Sequence, residues 1–219
     1  MSKEEFAPTE RSRVRRLAKR GTYDRETIYR ILDKASLCHV SFCLEGQPFI
    51  IPTLFGRVGD SIYLHGSHIS RMLQTLGEGV PLSLAETLVD GLVLARSAFH
   101  HSMNYRSAVV FGRGKSVDDE NEKMSALKAI SEQVVSGRWD DCRPPNAKEL
   151  NVTAVIRIEI EEASAKIREG MPVDDREDYA LPVWAGIVPV RQVYGEPVPD
   201  QYVGAAIDLP DYLRGAGQE

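Results

Sequence analysis

Ile28, Ile31, Leu32 and Ala35 fall at the i, i+3, i+4, i+7 spacing of an amphipathic helix, and Asp24 stands at its N-cap, so the pattern predicts a helix over 24–35. Beyond it come β-like runs at 37–44, 47–55, 61–65 and 81–88, separated by turn signals at Glu45-Gly46, Gly59-Asp60 and Asp90-Gly91. Strands joined this closely predict an antiparallel meander. The stretch 67–76 breaks the run: Met72, Leu73 and Leu76 are too periodic for a strand and Gly77 stops them, which predicts a short helix. A long strand is expected over 104–117, carrying Ala108, Val109, Val110 and Phe111. An amphipathic helix is expected over 119–135, with Leu127, Ile130 and Val134 on its apolar face and Asp119 and Glu122 as a capping box. Val152, Ala154, Ile156, Ile158 and Ile160 alternate cleanly over 152–160, and a last strand at 163–168 follows a turn at Glu161-Glu162. The stretch 172–199 is too rich in proline and glycine to be regular throughout, yet it holds Trp184. About six short strands with few helices favour an antiparallel barrel over a layered βαβ sheet.

The length of 219 residues suits one domain with ragged ends. No apolar run reaches the roughly 18–20 residues that span a bilayer, so no membrane association is expected. The basic start lacks the apolar core of a secretory signal, which makes a cytoplasmic location the expectation. A net charge of −5 argues against a nucleic-acid-binding surface, although Arg11, Arg13, Arg15, Arg16, Lys19 and Arg20 form a basic arm, either solvated or wrapped around a partner subunit. Cys38, Cys43 and Cys142 are odd in number and lack CxxC spacing, so they are expected to be buried, inert thiols with no disulfide framework and no metal site.

Two segments carry candidate chemistry. In Tyr63-Leu64-His65-Gly66-Ser67-His68-Ile69-Ser70-Arg71-Met72 a strand runs through a glycine turn into a helix whose first turn offers hydroxyls and a cation. Free amides at a helix start, the helix dipole and Ser67, Ser70 and Arg71 together suit an anion. On spacing alone the serines could equally be caps and Arg71 solvated. In the second segment, 100–112, His100, His101, Ser102, Asn104, Tyr105, Arg106 and Ser107 crowd the start of an apolar strand, as residues at a pocket rim do.

The helix, the meander, the runs YLHGSHISRM and HHSMNYRSAVVFGRG and the late PVWAGIVPV together resemble the flavin-binding split-barrel proteins related to pyridoxamine-phosphate oxidase, among them those of the nitroimidazole-resistance type. The resemblance covers roughly 22–195, leaving 1–21 as the basic arm and 196–219 as a tail. It implies a six-stranded split β-barrel with flanking helices, assembled as a homodimer with one FMN in each of two interface clefts. His65, Gly66, Ser67, Ser70, Arg71 and Met72 would hold the phosphate and ribityl chain, Pro52 and Thr53 would lie at the isoalloxazine edge, Tyr105, Arg106 and Ser107 would border the same cofactor, and Trp184 would reach it from the partner subunit. The oxidase's paired basic residues before the phosphate turn are absent, since Ile51, Pro52 and Thr53 stand there, and vitamin B6 oxidation is not expected.

The leading functional expectation is an FMN-dependent oxidoreductase that moves electrons from a reduced nicotinamide to a small electron-poor acceptor. His65, His101 and Tyr105 are weak candidates for a proton donor. Its rivals are a non-catalytic flavin-binding or storage protein, a haem protein with His65, His100 or His101 as axial ligand, and a user of a pyridoxal- or deazaflavin-type cofactor.

Overall fold

The computed structural model describes residues 4–204 and 206–214. Helix α1 (Arg25–Lys34) forms where the apolar period places it: Asp24 accepts the Thr27 amide at 3.0 Å, and Ile28, Ile31, Leu32 and Ala35 are buried. Strands β2 (Cys38–Leu44) and β3 (Gln47–Thr53) form a hairpin whose two turn residues, Glu45 and Gly46, both take positive φ, at 50° and 77°. A second hairpin joins β4 (Gly56–Val58) to β5 (Ser61–Ser67), which leads into α2 (Arg71–Gly77). The long strands β6 (Pro81–Leu94) and β7 (Ser102–Ser116) run antiparallel through the centre. After them come α3 (Glu120–Val134), α4 (Ala147–Val152), β8 (Thr153–Glu159), β9 (Glu162–Arg168), β10 (Gly186–Pro189) and α5 (Asp211–Arg214), while the short β1 (Gly21–Thr22) precedes α1.

The sheet order is β3-β2-β6-β7-β8-β5-β4, with β1 paired to β9 and β10 paired to β6. One edge of β7 serves two partners in succession: Tyr105 to Phe111 pair with β9, and Gly114 to Ser116 pair with β8. Glycine makes this exchange possible. A Cβ added at Gly112 would lie 2.3 Å from the Glu159 carbonyl oxygen, and one at Gly114 would lie 2.5 Å from that of Leu76. The sheet order ends at β3 and β4, which do not pair with each other, so the structure is an open, split antiparallel barrel with flanking helices.

The barrel interior is filled by Val40, Ile62, Leu64, Leu84, Val110 and Ile158, and it is plugged by Ile28 and Leu32 of α1 and Leu73 and Leu76 of α2. A smaller cluster of Tyr63, Val117, Ala126, Ile130 and Val155 joins the outer face of β5 and β8 to α3. Alternation along β5 sends Ile62 and Leu64 inward and Tyr63 outward, so one strand serves both cores. The Gln133 side-chain amide on α3 donates to the carbonyls of Leu32, Asp33 and Ala35, at 2.9, 3.0 and 2.7 Å, and so finishes the C-terminal end of α1.

Several elements differ from the sequence expectations. Ten strands are present among the described residues where about six were expected, because short pieces such as β1, β4 and β10 carry too few residues to show a period. Asp90-Gly91 is a bulge within β6, not a turn: the register shifts between Val89 and Gly91, and Asp90 turns to hold Arg106 through two bonds of 2.9 and 2.6 Å. Strand β5 runs on to Ser67, because Gly66 and Ser67 pair with Ala154 and Thr153, and α2 begins only at Arg71. Val152 ends a helix instead of opening a strand; α4 starts at a capping box between Asn146 and Glu149. At α3 only half of the expected box exists, since Asp119 accepts the Glu122 amide at 2.7 Å while the Glu122 carboxylate takes Tyr63 Oη at 3.0 Å and Arg157 at 3.2 Å. The basic arm docks on its own chain: Arg11 reaches Glu162 at 2.6 Å and lies 4.9 Å over the Phe111 ring. Cys38 is buried, but Cys43 and Cys142 are exposed, Cys43 because it alternates outward on β2.

Burial pushes the Cys38 thiol up to about 12, so it stays protonated and unreactive. Ellman titration of the native chain is expected to modify two thiols promptly and the third only after unfolding; rapid reaction of all three would show that the barrel end over Cys38 is open. Glu86, buried on β6, has its carboxyl raised above the ordinary range by burial, against the opposing pull of the Thr87 amide and of His39. The folded chain therefore holds this proton more tightly than the unfolded chain, a stabilisation present at low pH and lost as pH rises through the raised value. Glu86→Gln is expected to raise the melting temperature by a few degrees at pH 8 and to leave it unchanged at pH 4. A variant that melts with the wild type at both pH values would show that the carboxylate is solvated in the fold.

Candidate functional site

Two neighbouring features of β5 form the candidate site. On one side lies the turn into α2. A Cβ at Gly66 would meet Leu73 Cδ1 at 3.0 Å, so glycine lets α2 pack directly on the strand. Ser70 stands at the N-cap of α2, but its hydroxyl makes no capping bond. The turn is set by its backbone, with the Ser70 amide donating to the Ser67 carbonyl at 2.9 Å, and by Gln74, which donates to the His68 carbonyl at 3.1 Å. Arg71 is exposed and its guanidinium lies 4.3 Å over the Phe49 ring, which in turn stacks on Phe42 with centroids 5.4 Å apart. This contact ties the turn to β3. Phe49 and Thr53 share one face of β3, and Pro52 lies on the other, exposed. Met72 is buried in the core.

On the other side of β5 lies a cleft. His65 alternates with Gly66 and faces α3, where Leu127, Ile130 and Val134 from the helix, Leu54 from the β3–β4 connection and Trp139 wall a cavity of about 350 Å³. His65 Nδ1 is buried without a hydrogen-bond partner, and burial lowers the imidazole below its ordinary value, so the ring is neutral at pH 7. Glu132 fixes the wall that carries Trp139, accepting the amides of Gly137 at 2.7 Å and Trp139 at 2.9 Å. Arg138 stands at the mouth, 3.1 Å from Tyr212 Oη and 3.8 Å from Asp141. An apolar cavity with one unpartnered imidazole and a cation at its rim is suited to a planar, mostly apolar ligand that carries acid groups.

The remaining expected site residues lie elsewhere on the chain. Tyr105, Arg106 and Ser107 pair with Val89, Leu88 and Thr87 of β6, roughly 25 Å along β7 from Gly114, which packs under α2. Arg106 is engaged by Asp90, and Ser107 Oγ donates to the Lys166 carbonyl at 3.4 Å. Trp184 is 66% exposed, with its ring folded over Gly186 at the start of β10. One chain therefore does not bring these residues to the α2 turn. His100 and His101 also stand apart, with Nε2 atoms 3.2 Å from Asp175 and from the Ala95 carbonyl oxygen. The cleft behind His65 went unnoticed in the sequence: Leu127, Ile130 and Val134 mark a buried helix face, and only the two last-named residues of the rim, Arg138 and Trp139, hint that this face extends past the helix end.

A family model for pyridoxamine 5'-phosphate oxidase matches residues 24–167. Among solved structures, the flavocytochrome Anf3 from Azotobacter vinelandii is 39% identical, with a TM-score of 0.88 over 96% of this chain and 98% of its own. The FAD and haem binding protein from Mycobacterium smegmatis is 36% identical, with a TM-score of 0.86 over 90% and 97%. A protein assigned to 5-nitroimidazole antibiotic resistance in Bacteroides thetaiotaomicron shares the fold at 24% identity and a TM-score of 0.56, over 67% of this chain and 86% of its own. No curated protein matches the sequence.

The stretch between β9 and β10 is held to the end of β6 by Asp174. The Asp174 carboxylate is buried and accepts the amides of Arg96 and Ser97, at 2.9 and 3.1 Å, as well as the Arg96 guanidinium at 3.3 Å. Asp174→Ala is expected to release this stretch and to raise tryptic cleavage after Arg176 several-fold in a timed digest, with the barrel left intact. An unchanged cleavage rate would show that the segment is held by other contacts.

Proposed function

Because the chain belongs to the pyridoxamine 5'-phosphate oxidase family, we propose that it is a redox protein that binds a flavin nucleotide together with a haem, and that it works as a homodimer. The observation that supports this most is the likeness over nearly the whole chain to a flavocytochrome and to an FAD- and haem-binding protein, joined to a cleft whose imidazole has no partner in the protein. Family membership does not carry vitamin B6 oxidation with it, since Ile51, Pro52 and Thr53 replace the basic residues expected there.

The flavin phosphate is assigned to the α2 turn, with Ser67, Ser70 and Arg71 as its partners; the Ser70 hydroxyl and the Arg71 guanidinium are free of competing acceptors among the described residues. FMN is the nucleotide expected from the sequence, and the Mycobacterium relative favours FAD. Both contain the same phosphate next to the ribityl chain, so the assignment of that phosphate is common to the two. A second copy supplies what one chain lacks: Tyr105, Arg106, Ser107 and Trp184 lie away from the turn, and Met171, Val173, Tyr179, Trp184 and Val188 leave an apolar surface uncovered. When bound, a flavin supplies two-electron uptake of hydride and one-electron release, and a haem supplies one-electron exchange. The chain's own part is to position these groups, to exclude water and to leave access for a reduced nicotinamide or another small-molecule donor and for a small acceptor.

The purified protein is expected to show flavin bands and a Soret band, to release FAD or FMN on denaturation, to be bleached by reduced nicotinamide and to sediment as a dimer at micromolar concentration. A colourless protein that takes up neither cofactor would overturn the reading. Arg71→Ala is expected to weaken FMN and FAD roughly 10- to 150-fold and to leave riboflavin, which has no phosphate, nearly unaffected. Equal losses for all three in a fluorescence titration would place the phosphate elsewhere.

A further inference from the structure

Resting on the haem reading above, we infer that the haem lies in the cleft between β5, α3 and the 138–145 loop, with His65 as its iron ligand and Arg138 as the partner of a propionate. The five histidines of the chain separate by their surroundings. His68 is held at Nδ1, 3.0 Å from the Val152 carbonyl oxygen, His100 by Asp175, and His101 by the Ala95 carbonyl. His39 is exposed on β2, opposite Pro52 of β3. His65 lines the apolar cleft, and no hydrogen bond holds either of its ring nitrogens among the described residues.

The unpartnered Nδ1 is itself buried, so the ring nitrogen left for a ligand in the cleft is Nε2. Imidazole is the commonest protein ligand to a metal, and a haem also needs a dry, apolar slot and a cation for its acid groups. The cleft has the imidazole, mostly apolar walls and the cation, and it opens to solvent on one side. At about 350 Å³ it falls in the range of sites for small organic ligands. Its walls are built in place, since His65 is paired in register with Val155 of β8 and Glu132 clamps the loop that carries Trp139. The Arg138 guanidinium has five donors and spends few of them on Tyr212 and Asp141, so it retains capacity for a carboxylate.

The test uses the full chain, expressed with added haem and purified with its flavin. Ultraviolet-visible and electron paramagnetic resonance spectra are recorded for the wild type, His65→Ala, His101→Ala and Val134→Trp. His65→Ala is expected to lower haem content at least about tenfold while flavin stays bound, and added imidazole is expected to restore the Soret band by filling the vacated position. His101→Ala is expected to match the wild type. Val134→Trp, which narrows the cleft while His65 stays in the chain, is expected to lose haem and keep flavin. A Soret band and iron signal unchanged in His65→Ala would overturn this assignment alone, as would Val134→Trp losing flavin while keeping haem, which would place the flavin ring in the cleft. Loss of haem from His65→Ala that imidazole does not reverse would also count against iron ligation. Absence of any Soret band from the wild type would instead overturn the haem reading on which the inference rests.

Discussion

Everything in this structure depends on β7 changing partners along a single edge. A strand has two edges, and β7 gives one wholly to β6 and divides the other between β9 and β8. The division falls at Gly112 and Gly114, where any side chain would collide with backbone from the Glu159 or Leu76 side. Because β8 joins β7 only beyond that point, β5 and β4 are carried away from β9, and the barrel opens instead of closing on itself. An opened barrel must cover its seams with something other than strands. Helices α1 and α2 plug the interior, and α3 covers the outside of β5 and β8.

The same constraint explains why chemistry gathers on β5. A strand buried on both faces would ordinarily carry only apolar residues, and β5 does so from Ile62 to Leu64. Its last three residues, His65, Gly66 and Ser67, run out beyond the region where α3 packs closely, so one polar side chain sits at the edge of an apolar cleft. Glycine at the next position draws α2 against the strand and brings Arg71 over Phe49. The turn and the cleft are two sides of one short piece of β-structure, and a change at Gly66 acts on both.

The sequence made legible what repeats over many residues. The α1 stripe, the Asp24 cap, the Glu45-Gly46 turn and the alternation in β8 are all local patterns, and all are present in the structure. What remained hidden depends on partners distant in the chain. Asp90-Gly91 has the composition of a turn, but pairing with β10 keeps β6 going through it as a bulge. Glu122 has the spacing of a capping box, yet a tyrosine and an arginine from two strands compete successfully for its carboxylate. In the candidate site the β5–α2 segment stood out because strand, glycine and helix signals follow one another directly. The cleft did not, since Leu54, His65, Val134 and Trp139 come from four separate segments and share no local pattern.

The docking of the N-terminal arm bears on how the chain is made. Arg11 meets Glu162 across 151 residues of sequence, and the end of α1 is finished by Gln133, about 100 residues later. At roughly 5–20 residues per second, a ribosome needs roughly 8–30 s between releasing the arm and delivering its partner. Through that interval α1 exists with open carbonyls and an uncovered apolar face. The arm and α1 are therefore made well before the residues that finish them, and their final packing waits on strands and a helix synthesised much later.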